Sequence, residues 1–169
     1  LDMYNVFDPH IRITTNEGKN FDSHEANKII ADIDGVSCFS NVLEEKVLVE
    51  YNSKQYIAVL KGVDANYREL TNFDSLLVDG DYIGDFKSNN VAVVGRGIAY
   101  YLSMHIGSVF DNLRIYLPNR DSKNLLNLEK AFTSSSISPV GVFGVQQEID
   151  SKYIIVPLNF VQNLIKRDK

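Results

Sequence analysis

Residues 91–117 constrain the fold more than any other stretch of this chain. They read VAVVGRGIAYYLSMHIGSVFDNLRIYL. The short apolar run Val91-Ala92-Val93-Val94 meets Gly95-Arg96-Gly97. A helical pattern follows, with Ile98, Tyr101, Leu102 and Ile106 on one face. Gly107 is expected to close that helix in a left-handed conformation. Val109, Leu113, Ile115 and Leu117 then begin an extended segment. Gly95 and Gly97 are expected to let the backbone turn sharply from strand into helix.

A glycine turn between strand and helix also raises a phosphate cradle. The dinucleotide fingerprint needs a third glycine where Tyr100 stands, and no Gly-Lys-Ser/Thr is present. A structural turn is the better reading.

The 169 residues suffice for one sizeable core or two small lobes. Hydrophobic residues make up 44% and charged residues 23%, which fits a globular chain. A net charge of −5 argues against non-specific nucleic-acid binding, which needs a basic face. Cys38 is the single cysteine, so no internal disulfide can form. The cytosol and a bacterial periplasm both remain open. No apolar run approaches the roughly 18 residues that span a bilayer. The chain opens Leu1-Asp2-Met3-Tyr4 without a basic region or long apolar core, so no signal peptide is expected. The missing initiator Met points to a fragment or a processed chain.

Taken in order, Ile11 and Ile13 alternate with Arg12 and Thr14, which predicts a short half-buried strand. Ser23 is an expected N-cap for a helix with Ala26, Ile29, Ile30 and Ile33 in one stripe, ended by Asp34-Gly35. Residues 36–63 read as β, with a hairpin turn at Asn52-Ser53-Lys54. Asp64 is expected to cap a short helical turn around Tyr67, Leu70 and Phe73. Residues 132–145 are β-rich, and Tyr153-Ile154-Ile155-Val156 reads as a buried strand. Pro157 suits the first turn of a final helix with Phe160, Val161, Leu164 and Ile165 on its apolar face.

The search for chemistry is short. His10, His24 and His105 lie far apart, with no metal-ligand spacing to a carboxylate or cysteine. Asp79, Asp81 and Asp85 sit in a loop-like stretch that does not match a calcium-binding loop. Glu44 and Glu45 are neighbours, but on a strand they point to opposite faces. Ser134-Ser135-Ser136 reads as a polar β or loop run. No catalytic residue, cofactor or metal is expected. Residues 118–132 form a connection longer than the usual ~4–6 residues. Leu125, Leu126 and Leu128 within it either tuck into the core or are offered to a partner.

Several segments together resemble a known family. Gly62-Val63-Asp64 after a hairpin is similar to the "GVD" step in extracytoplasmic domains of ABC transporter permeases. Residues 91–102 are similar to that family's strand–glycine–helix segment, and Val140-Gly141-Val142-Phe143 to its "Gif" strand. Ile149-Asp150 followed by Ile154-Ile155-Val156-Pro157-Leu158 resembles its "vPL" ending. Phe7-Asp8-Pro9-His10-Ile11-Arg12-Ile13 followed by Gly18-Lys19 resembles the lipoprotein-releasing LolC/LolE branch of this MacB-FtsX-like family.

The resemblance implies a non-catalytic, two-lobed α+β domain on the periplasmic face of the bacterial inner membrane. The outer lobe would comprise about residues 7–49 and 133–169, and the inserted, mainly β lobe about residues 50–132. The implied partners are a second permease subunit, a cytoplasmic ATPase reached through the membrane part, and a lipoprotein with its periplasmic carrier. Carrier docking would fall on the 118–132 loop, with Pro118, Arg120, Leu125, Leu126, Leu128 and Lys130 as the contact residues. Ser108 stands where the family usually has Asp, and the loop lacks a paired-basic base. A mechanical-transmission role, as in efflux or cell-division-type permeases, and a free-standing binding module are the alternatives.

Overall fold

The computed structural model describes residues 7, 9–16, 18, 20–85, 90–107, 112–119 and 132–166. These form a mixed α+β structure built on one seven-stranded sheet. Helix α1 (Ser23–Ala31) precedes the long hairpin of β1 (Val42–Tyr51) and β2 (Lys54–Val63). A short helix α2 (Tyr67–Leu70) and a 3-10 turn (Phe73–Leu76) lead to β3 (Leu77–Gly80). Next come β4 (Val91–Gly95), α3 (Arg96–Leu102) and β5 (Leu113–Pro118). The chain continues with β6 (Phe132–Phe143), α4 (Gln147–Asp150), β7 (Tyr153–Pro157) and α5 (Leu158–Lys166).

The strand order is β3-β6-β4-β7-β2-β1-β5, and β5 also pairs with β6. Pairing therefore returns on itself from β6 through β4, β7, β2, β1 and β5. Two pairs are parallel, β2 with β7 and β4 with β6; the others are antiparallel. Strands from the segment expected as an inserted lobe thus interleave with strands from both chain ends. β2 lies between β1 and β7, and β4 between β6 and β7.

Both faces of the sheet are covered. On one face Val47, Val49, Leu60, Ala92, Val94, Leu113, Ile115, Ile154 and Val156 pack around α3 and α5 through Ile98, Leu102, Phe160, Val161 and Leu164. On the other face Val91, Val93, Ile155 and Phe143 meet Phe7, Tyr67, Phe73, Leu76, Tyr82 and Ile83. This explains the unbroken apolar run of β4. Its alternate side chains enter two different cores, so neither parity can be polar.

The β1–β2 turn forms as its composition predicts. Asn52 and Ser53 have φ of 46° and 65°, the positive values that a two-residue hairpin requires. Asp64 does not cap the helical turn as expected: the N-cap is Asn66, without a side-chain cap bond, and Asp64 accepts the Asn66 amide at 3.1 Å in the turn that precedes it. Pro157, expected in the first turn of the final helix, is instead the last residue of β7, paired with Val63, and the helix starts at Leu158.

Three further expectations are corrected. Residues 11–14 form no strand, and Ile11 and Ile13 are 80% and 55% exposed. No described strand pairs with them, and all four side chains are exposed. Helix α1 is capped by Asp22 rather than Ser23, through its carboxylate and the His24 amide at 2.9 Å. Its apolar stripe is not core: none of its residues is buried. The last is α3, which stops at Ser103 rather than Gly107. Ser103 takes φ 54° and returns its amide to Ala99 and Tyr100. Gly107 does adopt φ +91°, but in the following turn. Tyr101, expected on the buried face, is 56% exposed.

The glycines of β4–α3 also have a different reason. Gly95 has φ −61° and ψ 139°, open to any residue. A Cβ there would overlap the carbonyl oxygen of Asp150 and come within 2.8 Å of its carbon. A Cβ on Gly97 would overlap the Ser151 hydroxyl. Close approach of the α4–β7 junction requires these glycines, not the turn itself.

Candidate functional site

The expected docking loop sits on the β5–β6 hairpin. The two strands are antiparallel and paired from Leu113↔Ile137 to Pro118↔Phe132. Leu113, Ile115 and Leu117 are buried, whereas Arg114 and Pro118 face outward. The serine run settles as strand: Ser134, Ser135 and Ser136 pair with Tyr116, Ile115 and Arg114. At the end of the ladder Thr133 donates its hydroxyl to the Asn119 side chain at 2.9 Å. Pro118 is therefore placed as the last paired residue of β5, opposite the 39%-exposed Phe132. Arg120, Leu125, Leu126, Leu128 and Lys130 lie outside the described residues.

Among the described residues, no catalytic constellation is brought together. Among the described residues, no group of three or more His, Cys, Asp or Glu side chains is placed to hold a metal. His10, His24 and His105 are all exposed. An open depression of about 380 Å³ is lined by Lys46, Ile57, Ala58, Val59, Ser151 and Lys152. It presents no acid, histidine or cysteine with which to move a proton. Lys152 has its pKa raised, chiefly by a hydrogen bond with Tyr153.

Two polar centres tie separate stretches together; sequence reading gave Asp64 only a capping role and did not single out Lys61. At the first, Asp64 receives Ser40 Oγ at 2.6 Å, the Asn41 amide at 2.7 Å and Asn41 Nδ2 at 3.1 Å. Asn66 Nδ2 donates to the Phe39 carbonyl at 3.0 Å nearby. Asp64 thus ties the segment entering β1 to the segment leaving β2.

The second is Lys61, which is 4% exposed on the outer face of β2. Its ammonium lies 4.3 Å from the centroid of Phe7, 5.3 Å from Tyr153 and 5.4 Å from Tyr67. Aromatic faces attract a desolvated cation through their quadrupoles. Glu44 Oε1 is 3.8 Å from the ammonium, and Arg12 Nη2 lies 3.7 Å from the same oxygen. That oxygen is buried without a hydrogen bond among the described residues. The two cations compensate it. Glu45, of opposite parity on β1, is 2% exposed on the helix-bearing face. No periodicity flags Lys61, because its cage comes from Phe7, Tyr67 and Tyr153, far apart in sequence.

No helix among the described residues is long and apolar enough to cross a membrane. No protein-family model matches the sequence. No curated protein matches it significantly. Solved structures do match. The extracellular domain of the noncanonic ABC-type transporter YknZ from Gram-positive bacteria superposes with a TM-score of 0.58 at 14% identity, over 85% of this chain and 66% of that one. The periplasmic region of MacB from Actinobacillus actinomycetemcomitans gives 0.55 at 15% identity, over 87% and 59%. A domain assigned to a permease of Porphyromonas gingivalis gives 0.53 at 14% identity, over 79% and 51%. The chain thus spans 51% to 66% of the length of these solved domains. At such identities the likeness is one of fold: this chain shares the architecture of the extracytoplasmic domains of ABC-type transporter proteins.

Proposed function

We propose that this chain is a non-catalytic extracytoplasmic domain of an ABC transporter permease, lying at the periplasmic face of a bacterial inner membrane. The observation that carries this reading is the fold likeness to YknZ, with 85% of the chain superposed. The family-like segments also meet in pairs. The glycines of residues 91–102 lie against Asp150 and Ser151. A Cβ on Gly62 of the "GVD" step would come within 2.7 Å of Val161 and 3.3 Å of Leu158, at the "vPL" ending. Such contacts give those segments a physical reason to hold together. In this reading the partners are a second permease subunit and a cytoplasmic ATPase reached through membrane segments.

Within this role the proposed task is lipoprotein handover to a soluble carrier. It rests on the resemblance of residues 7–19 to the lipoprotein-releasing branch and on a β5–β6 hairpin paired as far as Pro118 and Phe132. Pro118, Arg120, Leu125, Leu126, Leu128 and Lys130 are the proposed contacts. Calorimetric titration of the domain with the organism's lipoprotein carrier tests this, beside a variant with Leu125, Leu126 and Leu128 changed to Ser. Binding that the variant loses supports handover and assigns the loop. Absence of binding by the folded domain rejects docking here. It would favour the second reading, a mechanical-transmission domain of an efflux or cell-division-type permease. A parent reading frame without membrane helices on either side of this segment would overturn both.

A further inference from the structure

The N-terminal segment is attached to the sheet in an uneven way. Phe7 is 1% exposed, and no other described residue before Glu45 is buried. Between them lie Ile11, Ile29 and Ile33, exposed at 80%, 66% and 50%, and all of α1. A stretch with so little burial has little stability of its own. Phe7 and Arg12 near its start, and Ser40 and Asn41 at its end, tie it to the sheet.

We propose that the segment carrying Phe7, Arg12 and α1 is a flap, latched on the outer face at Lys61 and Glu44 and hinged at Asp64. The latch has an apolar and a charged half. Phe7 stacks on Phe143 at 5.7 Å, tilts against Tyr153 at 5.4 Å and covers the Lys61 ammonium. Its carbonyl accepts the Tyr67 hydroxyl at 3.3 Å. Arg12 adds the charged half by pairing with Glu44, the carboxylate that also faces Lys61.

The hinge is the Asp64 carboxylate. It holds Ser40 and Asn41 where the flap joins β1. One aromatic plug is a small share of a domain's stability, so the flap opens without global unfolding. Opening uncovers a socket of Lys61, Tyr67, Phe143 and Tyr153. This inference stands on the geometry of the chain and does not depend on the permease reading.

Limited trypsin cleavage read by mass spectrometry, together with amide hydrogen exchange, tests it on the full chain. Trypsin has sites in the flap after Arg12 and Lys28, whose side chains are 61% and 59% exposed. In the Phe7→Ala variant these bonds are expected to be cut about tenfold faster or more, because cleavage tracks the open population. Amides of β4 and β7 should exchange within about twofold of wild type. Glu44→Gln, which removes the charge facing both Arg12 and Lys61 and leaves the aromatic contacts of Phe7 in place, is expected to give about a threefold acceleration at the same bonds. Three results would overturn the flap: unchanged cleavage in both variants, loss of β4 and β7 protection in step with the flap, or failure of Phe7→Ala to fold. The last two would make Phe7 part of the cooperative core.

Discussion

Replacing Gly95 by Ala separates two reasons for a glycine at a strand-to-helix turn. The backbone there has φ −61° and ψ 139°, which alanine adopts freely. Any cost must therefore come from contact. The added Cβ would overlap the Asp150 carbonyl oxygen and lie 2.8 Å and 3.0 Å from its carbonyl carbon and Cα. All three are backbone atoms at the α4–β7 junction, and Asp150 is 2% exposed. No side chain can rotate away. Either the junction moves or β4 shifts against β6 and β7, its partners on both sides.

Overpacking costs roughly 1–3 kcal/mol, and an immovable neighbour places this site near the top, at about 3 kcal/mol. In a domain of this size each kcal/mol lowers Tm by about 2–4 °C, so a fall of roughly 6–12 °C is expected. Urea denaturation should show a lower midpoint with an unchanged slope. Gly97→Ala is the companion test, since its overlap is with the Ser151 hydroxyl. Combining it with Ser151→Ala should recover part of the loss in a double-mutant cycle. Gly107→Ala, with φ +91° and nothing within 4 Å, should cost about 1 kcal/mol through backbone conformation alone. A Gly95→Ala protein within about 0.5 kcal/mol of wild type would refute the contact argument.

Other outcomes follow from the same structure. Ser53→Gly should raise stability by up to about 1 kcal/mol, read as a higher urea midpoint, because Ser53 holds φ 65° and glycine meets no Cβ penalty there; a lower midpoint would contradict the turn assignment. Asp64→Ala removes the acceptor of the Ser40, Asn41 and Asn66 bonds and should cost about 2–3 kcal/mol by thermal unfolding, while Asp64→Asn, which keeps an acceptor oxygen, should cost less. Lys152 has a pKa raised above 10.5, first by the Tyr153 hydrogen bond. Its contribution is therefore fully present below the unfolded value and lost as pH rises through the folded one. Lys152→Met should lower Tm slightly at neutral pH, where the contribution is fully present, and by less as pH rises above about 10; a loss of the same size at neutral and at strongly alkaline pH would refute this assignment.

What the sequence by itself determined is local. The hairpin turn at Asn52 and Ser53, the strand, glycine and helix order of residues 91–102, and the apolar face of the final helix all rest on neighbours within a few residues. The docking-loop residues Leu125, Leu126 and Leu128 come from sequence and resemblance alone. Tertiary structure decided which faces are covered. The alternation of Ile11 and Ile13 and the stripe of α1 are valid patterns that end up outside the core, because periodicity shows that a face exists and not that a partner covers it. Lys61 is the converse case. A charged residue reads as surface, yet it is buried because Phe7, Tyr67, Tyr153 and Glu44 converge on it from four separate stretches. The parallel pairs β2–β7 and β4–β6 are equally beyond local reading. They too explain Gly95 and Gly97, whose lack of a Cβ matters only once the α4–β7 junction is laid against them.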